Sequence, residues 1–226
     1  MKYMALFLIG MLLLGCKKSD APQAPGKAVL ISPAKNTECS PVQSSAANTN
    51  VVQFSWQAAV NAEIYELRVT NLITGTVQTK STRSLSETLP LAKSSPFSWA
   101  VISKNSNTPD TTGSETWFFY NPGTQSAHVP FPAEILGPLY GAQVFKDISN
   151  EIALKWAGSD LDGDIESYEI YFSVETPPET LIVTLPVGNG LKKVTVSENT
   201  VYYWKVITID GQGNISDSGI FNFKVL

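Results

Sequence analysis

The sequence predicts an all-β protein that consists of two tandem β-sandwiches. Apolar and polar residues alternate with a period of two in many short segments, which is the spacing that places successive side chains on opposite faces of a strand. Val, Thr, Ser, Tyr and Trp are abundant, and no long segment shows the periodicity of a helix. The order of the segments is repeated once within 226 residues, a length that accommodates two sandwiches of about 100 residues each.

The N-terminus has the features of a secretory signal. Lys2 gives a basic start, and the apolar run Met4–Gly15 is too short to cross a hydrocarbon core of about 30 Å as a helix. The run ends in Leu13-Leu14-Gly15-Cys16, which resembles the bacterial lipobox. This resemblance implies a signal peptide over 1–15, cleavage before Cys16 and lipidation of Cys16, and therefore a protein anchored in the bacterial cell envelope. An ordinary secretory signal followed by a chance cysteine is the alternative.

The composition of the remaining chain predicts four segments. We predict a lipidated, flexible tether over 16–27, a first sandwich over 28–121, a linker over 122–132 and a second sandwich over 133–226. The linker contains three prolines, which make it moderately stiff. Residue 17 is Lys rather than Asp, which by the sorting rule of such lipoproteins permits transfer to the outer membrane.

Three strands of the first sandwich have a counterpart in the second, with apolar residues in phase. The matched sets are Val52, Phe54 and Trp56 with Ile152, Leu154 and Trp156; Tyr65, Leu67 and Val69 with Tyr168, Ile170 and Phe172; and Phe97, Trp99 and Val101 with Tyr202, Trp204 and Val206. Their parity places the four tryptophans in the two cores.

This arrangement resembles the fibronectin type III domain, an immunoglobulin-like sandwich. The resemblance rests on a Trp in the second strand, a Tyr in the third and Tyr-x-Trp-x-Val in the sixth. It implies that the hydroxyl of Tyr202 bonds back to the preceding loop as a tyrosine corner. Phe97 has the matching position in the first module and cannot make this bond. Only Cys16 and Cys39 are present, so the disulfide-bonded antibody type is excluded.

Several functions are disfavoured by composition. A net charge of −4 with no basic cluster argues against nucleic-acid binding. His128 is the only histidine and lies in the predicted linker, so a His-dependent triad and a multi-His metal site are excluded. Gly188-Asn189-Gly190 predicts a hairpin turn rather than a phosphate loop. We therefore expect no enzymatic activity.

Two acidic loops of the second module are candidates for a calcium site. One contains Asp160, Asp162 and Asp164, and the other contains Asp210 and Asn214. These loops emerge at the same end of such a sandwich, where carboxylate and amide oxygens suit Ca²⁺. The alternative is a pair of acidic turns in which the side chains bond their own backbone.

The outward face of the same module is a candidate contact surface. Tyr171, Tyr203 and Ile207 share this face, whereas the equivalent face of the first module carries Glu66, Arg68, Ser98 and Ala100. An aromatic platform stacks on sugars or partner proteins, but it also stabilises a sheet or packs on the other module. We expect a non-catalytic binding or spacer lipoprotein with an envelope protein as its partner. The alternative is a glycan-binding lipoprotein that serves a polysaccharide-uptake system.

Overall fold

The computed structural model describes residues 23–39, 42–123 and 127–226. Within these ranges, all regular secondary structure is β-strand. The predicted signal peptide over 1–15, the lipidation residue Cys16 and the beginning of the tether lie outside the described residues. Within the described ranges, no helix has the length and apolar character needed to cross a membrane.

The first module is a two-layer sandwich. One layer has β4 at its centre, paired with β1, β3 and β7, and the other has the order β2-β10-β8-β5-β6, with β9 paired to β8. Its strands are β1 (Val29–Ser32), β2 (Thr37–Glu38), β3 (Ser44–Ser45), β4 (Thr49–Gln57), β5 (Ile64–Asn71), β6 (Val77–Thr82), β7 (Ser86–Ala92), β8 (Ser95–Lys104), β9 (Thr112–Gly113) and β10 (Trp117–Asn121).

The second module repeats this plan. One layer has the order β11-β13-β16, and the other has the order β12-β19-β17-β14-β15, with β18 paired to β17. Its strands are β11 (Phe131–Gly137), β12 (Ala142–Val144), β13 (Glu151–Ser159), β14 (Ile165–Ser173), β15 (Leu181–Pro186), β16 (Leu191–Thr195), β17 (Val201–Asp210), β18 (Ile215–Asp217) and β19 (Phe221–Val225). The prediction of tandem fibronectin type III-like sandwiches is therefore confirmed.

Each module has its own apolar core between its two layers. The predicted core tryptophans Trp56, Trp99, Trp156 and Trp204 are all buried. In β17 the buried and half-buried residues alternate along the strand, because successive side chains point to opposite faces.

Tyrosine hydroxyls secure the loops around these cores. The hydroxyl of Tyr202 accepts a hydrogen bond from the Ser197 backbone N–H over 2.9 Å, as the tyrosine corner requires. In the first module the Tyr65 hydroxyl accepts one from the Ala59 N–H over 3.0 Å. Phe97 is buried in the first core and has no hydroxyl for such a bond.

Three sequence predictions need correction. The flexible tether does not extend to residue 27, because the Gly26 N–H donates to the Val60 carbonyl over 2.7 Å and the Thr112 hydroxyl donates to the Pro25 carbonyl over 2.6 Å. The linker ends two residues early, because Phe131 is buried and pairs with Ser159, so that Phe131 and Pro132 belong to β11. Gly188-Asn189-Gly190 is not a hairpin turn, because β15 and β16 on either side of it belong to different sheets. The turn instead carries the chain from one layer of the sandwich to the other.

Candidate functional site

The two acidic loops lie side by side at one end of the second sandwich. The first connects β13 to β14 and the second connects β17 to β18. They are joined by a backbone hydrogen bond of 2.8 Å, in which Gly211 N–H donates to the carbonyl oxygen of Asp164.

The first loop gathers three carboxylates. One oxygen from each of Asp160, Asp162 and Asp164 lies within 4.8 Å of the others. Asp160 Oδ2 accepts backbone hydrogen bonds of 3.0 Å from Asp162 and Gly163, so this side chain shapes its own turn. Oδ1 of Asp160 and Oδ1 of Asp164 are buried and have no hydrogen-bond donor among the described residues.

The burial of Asp160 and its closeness to Asp164 have an electrostatic consequence. Burial raises the pKa of Asp160, and the neighbouring Asp164 carboxylate raises it further, because both disfavour the ionised form. A proton or a cation held between the Asp160 and Asp164 carboxyl groups would relieve this repulsion.

The second loop uses its acidic residue differently. Asp210 is fully buried, but its Oδ1 accepts the backbone N–H groups of Gln212 and Asn214 over 2.9 and 2.8 Å. Its Oδ2 accepts the side-chain amide of Asn214 over 2.8 Å. Asp210 is not part of the carboxylate cluster. The expected five-residue cage is thus a group of three carboxylates beside a self-bonded turn.

His128 contacts the first acidic loop through Asp162, a contact that the sequence did not predict. Its backbone N–H donates to Asp162 Oδ2 over 2.6 Å, and its Nδ1 lies 2.7 Å from Asp162 Oδ1. These contacts lower the pKa of Asp162, with the ring contact as the first cause. The His128 ring also packs edge-on against Tyr120, with 4.6 Å between ring centres. The linker is therefore held between the last strand of one module and a loop of the next, and no sequence motif signals this contact.

A second site lies on the outward face of the β14–β17–β18 sheet. A groove of about 610 Å³ runs across this face. Its apolar lining consists of Tyr171, Pro177, Pro178, Ile207, Ile209 and Ile215, and its charged lining consists of Glu169, Glu179, Lys205 and Asp217. The two predicted surface residues Tyr171 and Ile207 therefore lie in one concave site.

Polar contacts fix the aromatic ring in this groove. The Tyr171 hydroxyl donates to Glu169 over 2.9 Å, and this carboxylate raises the pKa of Tyr171. Lys205 Nζ lies 5.3 Å from the centre of the Tyr171 ring and 2.8 Å from Asp217. One face of the ring is thus covered by a cation, which is a favourable arrangement.

Tyr203 lies outside the groove, although it shares the outward face. It pairs with Ser173 on one side and Asn222 on the other, and it is not part of the groove lining. Lys205 follows it on the same face and covers Tyr171. The three residues expected to form one surface are thus divided: Tyr171 and Ile207 line the groove, and Tyr203 lies beyond it.

The first module has ion pairs at the same place. Glu66, the counterpart of Glu169, lies 2.8 Å from Arg68 and 2.6 Å from Lys104. Hydrogen bonds from Lys104 and then Arg68 lower the pKa of Glu66. Ion pairs around Glu66 thus occupy this face in the first module, whereas in the second module the face holds a groove with apolar and charged lining.

No protein-family model matches the chain, and no curated protein sequence matches it. Among solved structures, the chain is similar to the fibronectin(III)-like modules of Clostridium thermocellum CbhA, with 13% identity, a TM-score of 0.35 and coverage of 88% of this chain and 93% of that one. A second similar structure is the FN1–FN3 segment of chicken CNTN1, at 13% identity and a TM-score of 0.32, with 89% and 66% coverage. A third is a segment of chicken tenascin with two fibronectin type III domains, at 14% identity and a TM-score of 0.28, with 87% and 98% coverage. The strand order and the two cores define the chain as a tandem of fibronectin type III-like sandwiches.

Proposed function

We propose that this protein is a non-catalytic, lipid-anchored binding or spacer module of the bacterial outer membrane, and that its contact surface is the groove of the second sandwich. The supporting observation is the difference between the modules. Ion pairs around Glu66 occupy the outward face of the first, whereas the same face of the second is concave, with isoleucine, proline and tyrosine beside the Lys205–Asp217 ion pair. An open apolar concavity with a polar rim is typical of interaction sites.

The proposed occupant is a protein of the cell envelope. Aliphatic side chains and prolines dominate the groove, and Lys205 covers one face of the Tyr171 ring. Such a lining suits the apolar side chains of a protein better than a flat sugar ring, which needs an open aromatic face.

The matched pair Ile207 and Ile102 provides a test. Ile207 lies opposite Glu169, and Ile102 lies opposite Glu66, in equivalent strand pairs. We expect Ile207→Asp to abolish co-purification of a specific envelope protein, because it places a charge on the groove floor. Ile102→Asp should leave the co-purified amount unchanged. Equal recovery with both variants would refute the proposed surface.

Glycan binding is the second candidate, and one observation favours it. The lining of the groove includes the carboxylates of Glu169 and Asp217, and carboxylate oxygens can accept hydrogen bonds from sugar hydroxyls. A glycan array probed with the full mature chain would show a signal that Tyr171→Ala removes and Arg68→Ala, at the matching position of the first module, retains. A blank array would eliminate this candidate.

The lipid anchor is a separate part of the proposal, and it rests on the lipobox-like Leu13-Leu14-Gly15-Cys16. Cells that express the full chain should incorporate an alkyne-tagged fatty acid into the protein, and Cys16→Ser should remove the label. Fractionation of the envelope should then place the labelled protein in the outer membrane. Label retained in Cys16→Ser would contradict the anchor, and label in the inner membrane would contradict the location.

We also propose a structural Ca²⁺ between Asp160 and Asp164. The supporting observation is the pair of buried carboxylate oxygens without donors, because Ca²⁺ prefers such oxygen ligands. Asp162, the third member of the cluster, would have to share its oxygens with His128. Thermal unfolding with Ca²⁺ and with EDTA tests this proposal, and the absence of a shift would refute it.

A further inference from the structure

The groove of the second sandwich carries more negative than positive charge. Its charged lining consists of Glu169, Glu179, Asp217 and Lys205. Lys205 Nζ lies 2.8 Å from Asp217 Oδ2, so these two charges balance each other. Within the described part of the chain, neither Glu169 nor Glu179 forms an ion pair. The groove therefore contains two carboxylates whose charge is not balanced by a cation of the described residues.

The first module shows which residues balance the equivalent carboxylate, that of Glu66. The guanidinium of Arg68 lies 2.8 Å from one oxygen of Glu66, and Lys104 Nζ lies 2.6 Å from the other. Arg68 lies two residues after Glu66 on β5. Lys104 on β8 lies opposite Ile64, which is two residues before Glu66. Two cations at defined strand positions thus hold this carboxylate on the outward face of the first module.

Uncharged residues occupy both of these positions in the second module. Tyr171 lies two residues after Glu169 on β14, and Ile209 on β17 lies opposite Ser167, which is two residues before Glu169. The Tyr171 hydroxyl donates to one oxygen of Glu169 over 2.9 Å. No other side-chain hydrogen bond and no ion pair involves Glu169 among the described residues. One neutral donor has therefore replaced two cations at this carboxylate.

We propose that the protein partner supplies a cation to Glu169. A Lys or Arg side chain of the partner forms an ion pair with this carboxylate, and aliphatic residues beside it pack on Ile207 and Ile209. The occupant of the groove is thus a chain segment with one basic residue between aliphatic residues. This inference rests on the proposed function, because it names the chemistry of the partner segment that fills the groove.

The position of Glu169 suits an ion pair with a partner. Glu169 is half-buried and lies in a concave lining beside apolar side chains. A charge pair that the partner covers is screened by salt less than an exposed pair. Glu179 is exposed in the loop that follows β14, so its charge attracts a basic segment before contact forms. An acidic segment would be repelled by both carboxylates, which makes the groove selective for basic partners.

Peptide binding by the full mature chain tests the charge of the occupant. The probes are short immobilised peptides of Ser and Ile with one central residue, which is Lys, Arg, Gln or Glu. The Lys and Arg peptides should bind about tenfold more tightly than the Gln peptide, because they add a charged hydrogen bond, and the Glu peptide should not bind. Glu169→Gln should remove this preference. Glu66→Gln, the matched change in the first module, should keep it, and melting curves would show that both variants fold.

Photo-crosslinking in intact cells tests the inference on the natural partner. With a photoreactive amino acid in place of Ile207, Glu169→Lys should lower the yield of the crosslinked product at least about tenfold, and Glu169→Asp should retain the product. Mass spectrometry should locate the crosslink beside a Lys or Arg of the partner.

The outcomes separate this inference from the proposed function. A product that survives Glu169→Lys, or equal binding of the Lys and Gln peptides, would overturn the inference and leave the groove as the contact surface. No binding by any peptide would overturn the chain segment as the occupant. No product from position 207 would refute the groove itself, and this inference with it.

Discussion

Replacement of Asp160 by Asn should stabilise the second sandwich in the absence of metal. The Asn oxygen can keep the backbone hydrogen bonds that Asp160 Oδ2 now accepts, and the Asn amide can donate to the neighbouring Asp164 carboxylate. One added hydrogen bond contributes about 1 kcal/mol to the free energy of unfolding. For a sandwich of this size, that raises the melting temperature by about 4–8 °C.

The effect should depend on pH in a defined direction. The folded-state pKa of Asp160 is raised by burial and by Asp164. Its contribution to stability is therefore fully present below the ordinary pKa of an aspartate and is lost as pH rises through the raised folded value. The difference between Asp160→Asn and the wild type should be largest at neutral pH and should narrow as the solution is acidified.

Thermal unfolding followed by circular dichroism in EDTA measures this effect. Asp162→Asn is the control, and it should lower the melting temperature, because the ionised Asp162 accepts two contacts from His128. Added Ca²⁺ should stabilise the wild type and leave Asp160→Asn unchanged. A lower melting temperature for Asp160→Asn in EDTA, or a difference that does not depend on pH, would refute the account of this carboxylate pair.

Three further predictions concern the sandwiches themselves. Tyr202→Phe should lower the free energy of unfolding of the second sandwich by about 1 kcal/mol in a denaturant titration, because the Ser197 N–H loses its acceptor; an unchanged midpoint would contradict this. Gly158→Ala should destabilise the same sandwich by about 1–3 kcal/mol, since the added Cβ would lie 2.6 Å from Cε1 of Tyr168; a stability equal to that of the wild type would show that the ring can move. The Cys39 thiol should resist maleimide at neutral pH until denaturant is added, because burial raises its pKa to about 11; rapid labelling of the native protein would count against its burial.

The layers and cores were predictable because their signals are local and repeated. In both modules apolar and polar residues alternate around Trp56 and Trp156. This alternation directly predicts which side chains point into the core. The tyrosine corner was predictable because it needs one residue at one position of one strand. The edge strands β6 and β15 were not identified, because strands exposed on one side have weak apolar alternation.

The site was less predictable because it depends on which hydrogen-bond or ionic partner each side chain contacts in the folded structure. The sequence indicated that Asp210 could bind a metal, but its carboxylate is engaged by its own turn. The contact between His128 and Asp162 joins residues that are distant in sequence, and no local pattern encodes it. Tyr171 and Tyr203 lie on the same face of the sheet. Lys205, which lies between Tyr203 and Ile207, packs over the Tyr171 ring and so separates Tyr203 from the groove.

The most direct test of the proposed groove is photo-crosslinking in intact cells. A photoreactive amino acid at Ile207 lies on the groove floor, and the same amino acid at Ile102 lies at the matching position of the first module. We predict one discrete crosslinked product from position 207, none from position 102, and loss of the product when Ile209→Asp is added. Products of equal yield from both positions, or no product from position 207, would contradict the assignment of the groove as the contact surface.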